Sequence, residues 1–244
     1  MIENEGRRNV LKSASVLGAG MIIAPGITLH MVSEAKANTD ASSSKIRWGL
    51  IVNTNRCTPE CTACVTACQI EHGISNNNRP ETDAQWIRKV EIKHKKNNKR
   101  ISLPVLCQHC EEPPCVDVCP TGASFKRSDG IVLVNKHTCI GCRYCMMACP
   151  YKARSFVHEN TSNQKSYSPR GKGTVESCTF CVHRIDKGKT PACVIACHKD
   201  GGGAMTFGNL KDPTSEISRL LEKLGGHRIR ADLGLNTGIY YQGT

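Results

Sequence analysis

Bulky apolar side chains are scarce in this 244-residue chain: aromatics make up 5% of it, with two Trp, five Tyr and four Phe. Glycine (21) and proline (11) are plentiful by comparison. Such a composition is thin for a large side-chain core, so part of the interior is expected to be supplied by something else. Long apolar runs are missing too. Beyond residue 37 none reaches eighteen residues, which excludes a helical membrane span there. A formal charge of +12 raises the question of nucleic acid or an anionic surface. No recognition helix, RNP-type stretch or aromatic-interleaved basic run accompanies that charge, so nucleic acid is not an expected partner. Phosphate-cradling glycine loops and nucleophile–base constellations are absent as well, which argues against an enzyme acting on its own.

Cysteine is what the chain has in excess. Its sixteen residues fall into four consecutive groups: Cys57, Cys61, Cys64, Cys68; Cys107, Cys110, Cys115, Cys119; Cys139, Cys142, Cys145, Cys149; and Cys178, Cys181, Cys193, Cys197. The third reads CIGCRYCMMACP, the C-x2-C-x2-C-x3-C-P run of bacterial ferredoxins, in which three close thiolates serve one [4Fe-4S] cube and the fourth reaches to a second. The second group, CQHCEEPPCVDVCP, opens the middle gap to four residues, and the fourth opens it to eleven. A disulfide framework has no reason to repeat this arrangement, and zinc ribbons pair C-x2-C without the trailing C-x3-C-P. Four [4Fe-4S] clusters are therefore the expected cofactors. Their insertion becomes part of folding, so the apo chain is expected to be largely unfolded. A cube with four thiolates carries about two negative charges, so four of them remove about eight from the formal charge.

The N-terminal residues point to a compartment. Arg7 and Arg8 precede the mildly apolar SASVLGAGMIIAPGITLHMV and then Ala35-Lys36-Ala37, an A-x-A site. Twin arginines, a moderate apolar region and that site describe a Tat signal peptide over residues 1–37, cleaved after Ala37. The alternative is a chance Arg pair before a buried helix or an anchor, against which Gly18, Gly20, Pro25 and Gly26 interrupt the run. Sixteen cysteines in an exported protein would ordinarily mean disulfides. Export of a protein already folded around its clusters removes that conflict, because iron occupies the thiolates before the chain leaves the reducing cytoplasm.

The remaining pattern is α+β: two ferredoxin-like modules with short strands and helices, rich in loops, with a β-hairpin insertion and a C-terminal helix. Residues 38–45 read as a polar linker, and 46–106 as the first cysteine group with the hairpin. Arg47–Val52 reads as a strand, Thr62–Ile70 as a short helix carrying Cys64 and Cys68, and 86–105 as the hairpin, with the basic run His94–Arg100 as its solvated turn. Residues 107–157 form a two-cluster module with strands at 123–126, 131–135 and 153–157. Residues 158–212 bring the fourth group, which pairs with the first, and a strand after Cys197. Residues 213–244 hold a helix starting at Thr214 or Ser215, with Ile217, Leu220, Leu221 and Leu224 on one face, and a tail.

Four such groups, the last with its long middle gap, resemble the four-cluster electron-transfer subunits of dimethyl-sulfoxide reductase, formate dehydrogenase and formate-dependent nitrite reductase. The similarity runs from Trp48 to Leu224. The leader, RWGLIVNTNRC, GTVESCTFCVHRIDKGKTPACVIAC and GAMTFGNLKDPTSEI are most similar to the DsrO branch, the periplasmic iron–sulfur subunits of a sulfite-reduction-associated membrane complex. The resemblance implies crossed ligation. One cluster would take Cys57, Cys61, Cys64 and Cys197, and its partner Cys178, Cys181, Cys193 and Cys68. The central pair would take Cys107, Cys110, Cys115 with Cys149, and Cys139, Cys142, Cys145 with Cys119. It also implies two partners, an integral NrfD-like quinone-interacting membrane subunit and a periplasmic multihaem cytochrome c.

The first group departs from the pattern as C-x3-C-x2-C-x3-C, which makes Cys57 the least secure ligand and leaves a non-cubane or labile cluster open there. His109, between Cys107 and Cys110, reads as a neighbour of the ligands or a solvent-facing residue, with ligation or proton coupling as the alternative. Arg143, Lys126 and Arg127 read as ordinary surface charge or as groups that raise a nearby potential. The expected function is one-electron relay between partners, with no substrate chemistry in this chain. The rivals are the electron-transfer subunit of a periplasmic molybdopterin oxidoreductase or nitrite reductase system and, from another class, a zinc-binding or disulfide-rich structural module.

Overall fold

The computed structural model describes residues 42–93, 98 and 100–243, together with the strands at 22–24 and 27–28. The chain divides into two units, Met1–Thr39 and Asp40–Thr244. In the first, β1 (Ile22–Ala24) pairs antiparallel with β2 (Ile27–Thr28). Arg7, Arg8, Ala35 and Ala37 of the expected signal peptide lie outside the described residues, as do 94–97 and 99 of the basic run.

The second unit is built around β3 (Trp48–Asn53), whose WGLIVN run is apolar without alternation because both faces are covered. Leu50, Ile51 and Val52 are all almost fully buried. On one side lies β10 (Met205–Asn209), antiparallel, with Met205 opposite Val52 and Asn209 opposite Trp48. On the other lies β11 (Ile239–Gln242), parallel, with Ile239 opposite Leu50. The last segment of the chain thus returns to the first strand of the unit and seals it, where the sequence pattern suggests only a tail.

Helix α1 (Ala63–His72) follows the first cysteines and packs against α5 (Ala192–Asp200). Each carries two cysteines four residues apart, Cys64 and Cys68 on α1 and Cys193 and Cys197 on α5. That spacing sets both thiols on one helical face, so the packed helices turn their thiols towards the same interior. Helix α1 ends at Gly73, whose φ of +62° makes the left-handed cap; an added Cβ would lie 2.0 Å from the Asn163 carbonyl oxygen. The hairpin pairs β4 (Ile87–Lys93) with β5 (Arg100–Leu106) antiparallel. Its near half is buried through Ile87, Leu103 and Leu106, while Val90 and Ile92 farther out are exposed.

Between hairpin and α5 the elements are short. Helix α2 (Pro114–Asp117), β6 (Ser124–Lys126), β7 (Val132–Val134) and α3 (Tyr144–Met147) precede β8 (Ser155–Phe156), β9 (Val175–Glu176) and α4 (Val182–Ile185). Strand β6 pairs with β7, and β8 with β9, both antiparallel. Strand β9 lies in a stretch whose two residues carry too little pattern to be read in advance. Helix α6 (Glu216–Leu224) starts where Ser215 Oγ accepts from the Ser218 N–H. Its Ile217 is fully buried against Gly208, where an added Cβ would lie 2.8 Å from the Ile217 side chain. Leu220 and Leu221 are half-buried, but Leu224 is 56% exposed. The apolar face is therefore shorter than its sequence period suggests, because no described residue covers the last turn. No described helix is long and apolar enough to cross a membrane.

Candidate metal centres

All sixteen cysteines carry free thiols, and Cys142 alone is exposed; Cys57, Cys61, Cys119, Cys139 and Cys149 are half-buried and the other ten are buried. Their loops share a backbone device. In the second, third and fourth groups the residue before the second cysteine has positive φ: His109 at 43°, Gly141 at 72° and Phe180 at 53°. Such a kink turns the two flanking cysteines to one side, and for His109 and Phe180 it costs about 1–2 kcal/mol each. At Gly141 no other residue fits, since an added Cβ would lie 2.1 Å from the Gly173 carbonyl oxygen. The first group, with its extra residue, lacks this kink. Instead the Lys89 ammonium, reaching from β4, donates to the carbonyls of Thr58, Pro59 (3.0 Å) and Cys61 and clamps the longer loop.

Neighbouring thiols raise one another's pKa. Burial pushes Cys64 up to about 12, helped by the thiolates of Cys197, Cys57 and Cys61 and opposed by Lys89. Burial also raises Cys68 far above the ordinary thiol value, and Cys193 and Cys181 add to it; Cys178 is raised by burial and then by Cys68, Cys193 and Cys181. In the middle of the molecule Cys107 and Cys110 are each pushed up to about 12 by burial, with Cys115 and Cys149 as their thiolate neighbours. Cys107, Cys110, Cys115 and Cys149 line a single small cavity, with Tyr151 and Arg154 in its wall. Burial raises Cys145, and Cys139 and Cys119 add to it. Like charges gathered in a dry interior cannot stay anionic alone. They need a compensating cation, and an iron–sulfur core is one.

Hydrogen bonds prepare the same sulfurs to carry charge. Backbone N–H groups donate to Sγ from Phe180 to Cys178 (3.4 Å), Ala204 to Cys197 (3.2 Å), Ser124 to Cys119 (3.4 Å), Val175 to Cys139 (3.5 Å) and Ala153 to Cys149 (3.5 Å). Burial works against the Cys119 thiolate, but hydrogen bonds from Ser124, Thr121 and Ala123 outweigh it and hold that thiol below its usual range. Among the described residues no three His, Cys, Asp or Glu side chains converge as ligands of one metal ion. Buried thiols that meet around a cavity and accept backbone N–H groups fit a cube, whose corners spread its ligands apart.

Two histidines sit among the thiols. His72 is buried with its ring between Ser168 Oγ (2.8 Å) and Cys181 Sγ (3.3 Å), and burial drops its pKa to about 3. A neutral ring beside a thiolate donates from Nε2 to Cys181 and accepts the Ser168 hydroxyl at Nδ1. His109 corrects the solvent-facing reading, because none of its surface is exposed. Its Nδ1 accepts the Val132 N–H (3.0 Å) and its ring stacks on Phe180 at 3.8 Å between centroids. That stack joins the turn Cys107–Cys110 to the turn Cys178–Cys181, and through them the central thiols to those shared by α1 and α5.

The three cations singled out in the sequence are engaged elsewhere. Lys126 pairs with Glu111 (2.7 Å), Arg127 with Asp129 and Asp186 (2.7 and 2.8 Å), and Arg143 lies 3.9 Å over the Phe156 ring. Among the described residues the basic side chain that hydrogen-bonds a thiol is Arg154, whose Nη2 donates to Cys115 Sγ (3.0 Å) and Ser124 Oγ (2.7 Å). Nothing in its position, five residues after Cys149, distinguishes it in sequence.

Residues 98–210 match the family model described as a 4Fe-4S dicluster domain. The Hdr-like menaquinol oxidoreductase iron-sulfur subunit 1 of Archaeoglobus fulgidus is 42% identical, over 96% of this chain and 97% of that protein. A tetrathionate reductase subunit of Salmonella typhimurium is 34% identical, over 98% of this chain and 89% of its own. Protein NrfC of Escherichia coli is 37% identical over 91% of both. With relatives matched along almost their whole length, the chain belongs to this family of oxidoreductase iron–sulfur subunits, and its cofactors are four [4Fe-4S] clusters.

Proposed function

We propose that the chain is a periplasmic electron-relay subunit of a membrane-associated oxidoreductase complex, without substrate chemistry of its own. When bound, each cube supplies a site that takes up and returns one electron. Everything else falls to the protein. In this reading Cys57, Cys61, Cys64 and Cys197 hold one cube and Cys178, Cys181, Cys193 and Cys68 its neighbour; Cys107, Cys110, Cys115 with Cys149, and Cys139, Cys142, Cys145 with Cys119, hold the central pair. The observation that carries the relay is the His109–Phe180 stack, which sets one turn of each pair in van der Waals contact. With both pairs so joined, an electron entering either has a packed route to the other. All sixteen thiolates being committed to iron, no open metal position remains for a substrate.

The twin arginines and the A-x-A site support export by the Tat route after the clusters are inserted. The name of one relative, a menaquinol oxidoreductase iron-sulfur subunit, supports a quinone-interacting membrane partner of the NrfD type. In the DsrO branch the other partner is a periplasmic multihaem cytochrome c, and the complex is linked to sulfite reduction. Relatives named as subunits of tetrathionate reductase and of selenate reductase favour a second reading, in which the electrons go to a periplasmic terminal reductase. Purification of the tagged chain from solubilised membranes under nitrogen tests both. Co-elution of an NrfD-like protein and c-type haem supports the first; a large molybdenum subunit in their place supports the second. Replacing Arg7 and Arg8 by lysine is expected to leave the loaded protein in the cytoplasm, and periplasmic delivery despite that change would refute the export route.

A further inference from the structure

Arg154 is 5% exposed, in the wall of the cavity lined by Cys107, Cys110, Cys115 and Cys149. A buried guanidinium ordinarily has a carboxylate against it. This one has none among the described residues. Its Nη2 meets Cys115 Sγ at 3.0 Å and Ser124 Oγ at 2.7 Å, and the Cys145 thiol of the next group lies close enough to feel its charge. Nε and Nη1 are buried with no hydrogen-bond partner among the described residues. One cation thus hydrogen-bonds a thiol of the second group, acts electrostatically on one of the third, and stands in the wall of a cavity lined by thiols.

We infer that Arg154 is the internal counter-cation of the two central cubes and sets their reduction potentials above those of the outer pair. The inference rests on the relay and its ligand sets. Adding an electron beside a fixed positive charge in a water-poor interior is favourable, and hydrogen bonds to cube sulfur act in the same direction. Among the described residues no cationic side chain hydrogen-bonds a thiol of the outer groups: Lys89 acts on Cys64 from a distance with its donors on backbone carbonyls, Arg170 is closed by Glu176 and Arg184 by Glu71. The central pair is therefore the favoured resting place of electrons, and the outer cubes are the steps by which they enter and leave it.

The test is an EPR-monitored redox titration of the anaerobic full chain, wild type against Arg154→Gln and Arg154→Lys, with iron and sulfide counted in each. In Arg154→Gln two of the four clusters are expected to fall in potential by at least tenfold in the reduction equilibrium, 59 mV for one electron, while the other two stay. Arg154→Lys keeps the charge and is expected to keep most of the potential. The exposed Arg143→Gln serves as a comparison and is expected to move its nearest cluster less. Unchanged potentials in a fully loaded Arg154→Gln protein would overturn the inference and leave the relay standing. Should Arg154→Gln fail to load, Arg154→Lys decides: central potentials near wild type support a role for the charge, and a fall as large as that expected for Gln refutes it. A wild-type protein with fewer than four clusters would instead undermine the relay itself.

Discussion

Replacing Arg170 by alanine should dismantle the pairing of the first and fourth cysteine groups while sparing the second and third. Arg170 and Glu176 form a two-pronged pair, Nε to Oε2 at 2.9 Å and Nη2 to Oε1 at 2.8 Å, with side chains 6% and 0% exposed. The remaining nitrogen, Nη1, donates to the Gly73 carbonyl at 2.8 Å and so holds the end of the helix that carries Cys64 and Cys68. Alanine leaves the Glu176 carboxylate buried without that partner, which costs about 3–5 kcal/mol. Lys136 stays close enough to feel the Glu176 charge, so the lower figure, about 3 kcal/mol, is expected. That is more than a hundredfold in equilibrium and a large share of the roughly 5–15 kcal/mol that stabilises a whole domain. The assay is anaerobic bleaching of the cluster absorbance at rising denaturant, with iron counted at the plateau. Arg170→Ala should lose about half its iron early, two cubes of four, and Arg170→Met with Glu176→Leu should recover much of the loss because the uncompensated charge is gone. Bleaching indistinguishable from wild type in Arg170→Ala, or early loss from the central pair, would refute the reasoning.

Other outcomes follow from the same geometry. Gly141→Ala should cost the third group its cluster, since its Cβ meets the Gly173 carbonyl backbone and the φ of 72° is strained; an iron count falling by about four per chain checks this. Lys89→Met should release the expanded loop of the first group and make that cluster the first to decay in air, followed by EPR. Phe180→Leu keeps an apolar side chain but removes the stack on His109; stopped-flow reduction should then slow between the two pairs with all four clusters present, and an unchanged rate would remove the stack from the route. Chelation of iron under reducing conditions should abolish the near-UV circular dichroism along with cluster absorbance, because the loops lose the metal that ties them together.

Much of the site was readable because a cube demands fixed local spacing. The four cysteine groups, the helix at 63–72, the hairpin and the strands around the central groups all follow from patterns within about twenty residues of sequence. What escaped depends on distant parts of the chain. Strand β11 pairs with β3 across more than 180 residues of sequence, and nothing in Ile239–Gln242 names its partner. His109 looked free to face water because its neighbours do not reveal Phe180 opposite. Arg154 is one of 33 basic residues, and only folding separates it from those that reach solvent or a carboxylate. The extra residue of the first group was visible as an irregularity, but the lysine that holds it lies on β4, 28 residues beyond Cys61.

Redox-poised EPR of the anaerobic full chain, with iron and acid-labile sulfide counted on the same sample, tests the central claim most directly. The account predicts about sixteen iron atoms with matching sulfide and four clusters that each take one electron. Zinc in place of iron, oxidised cysteine pairs, or cubes that load but do not reduce would contradict it.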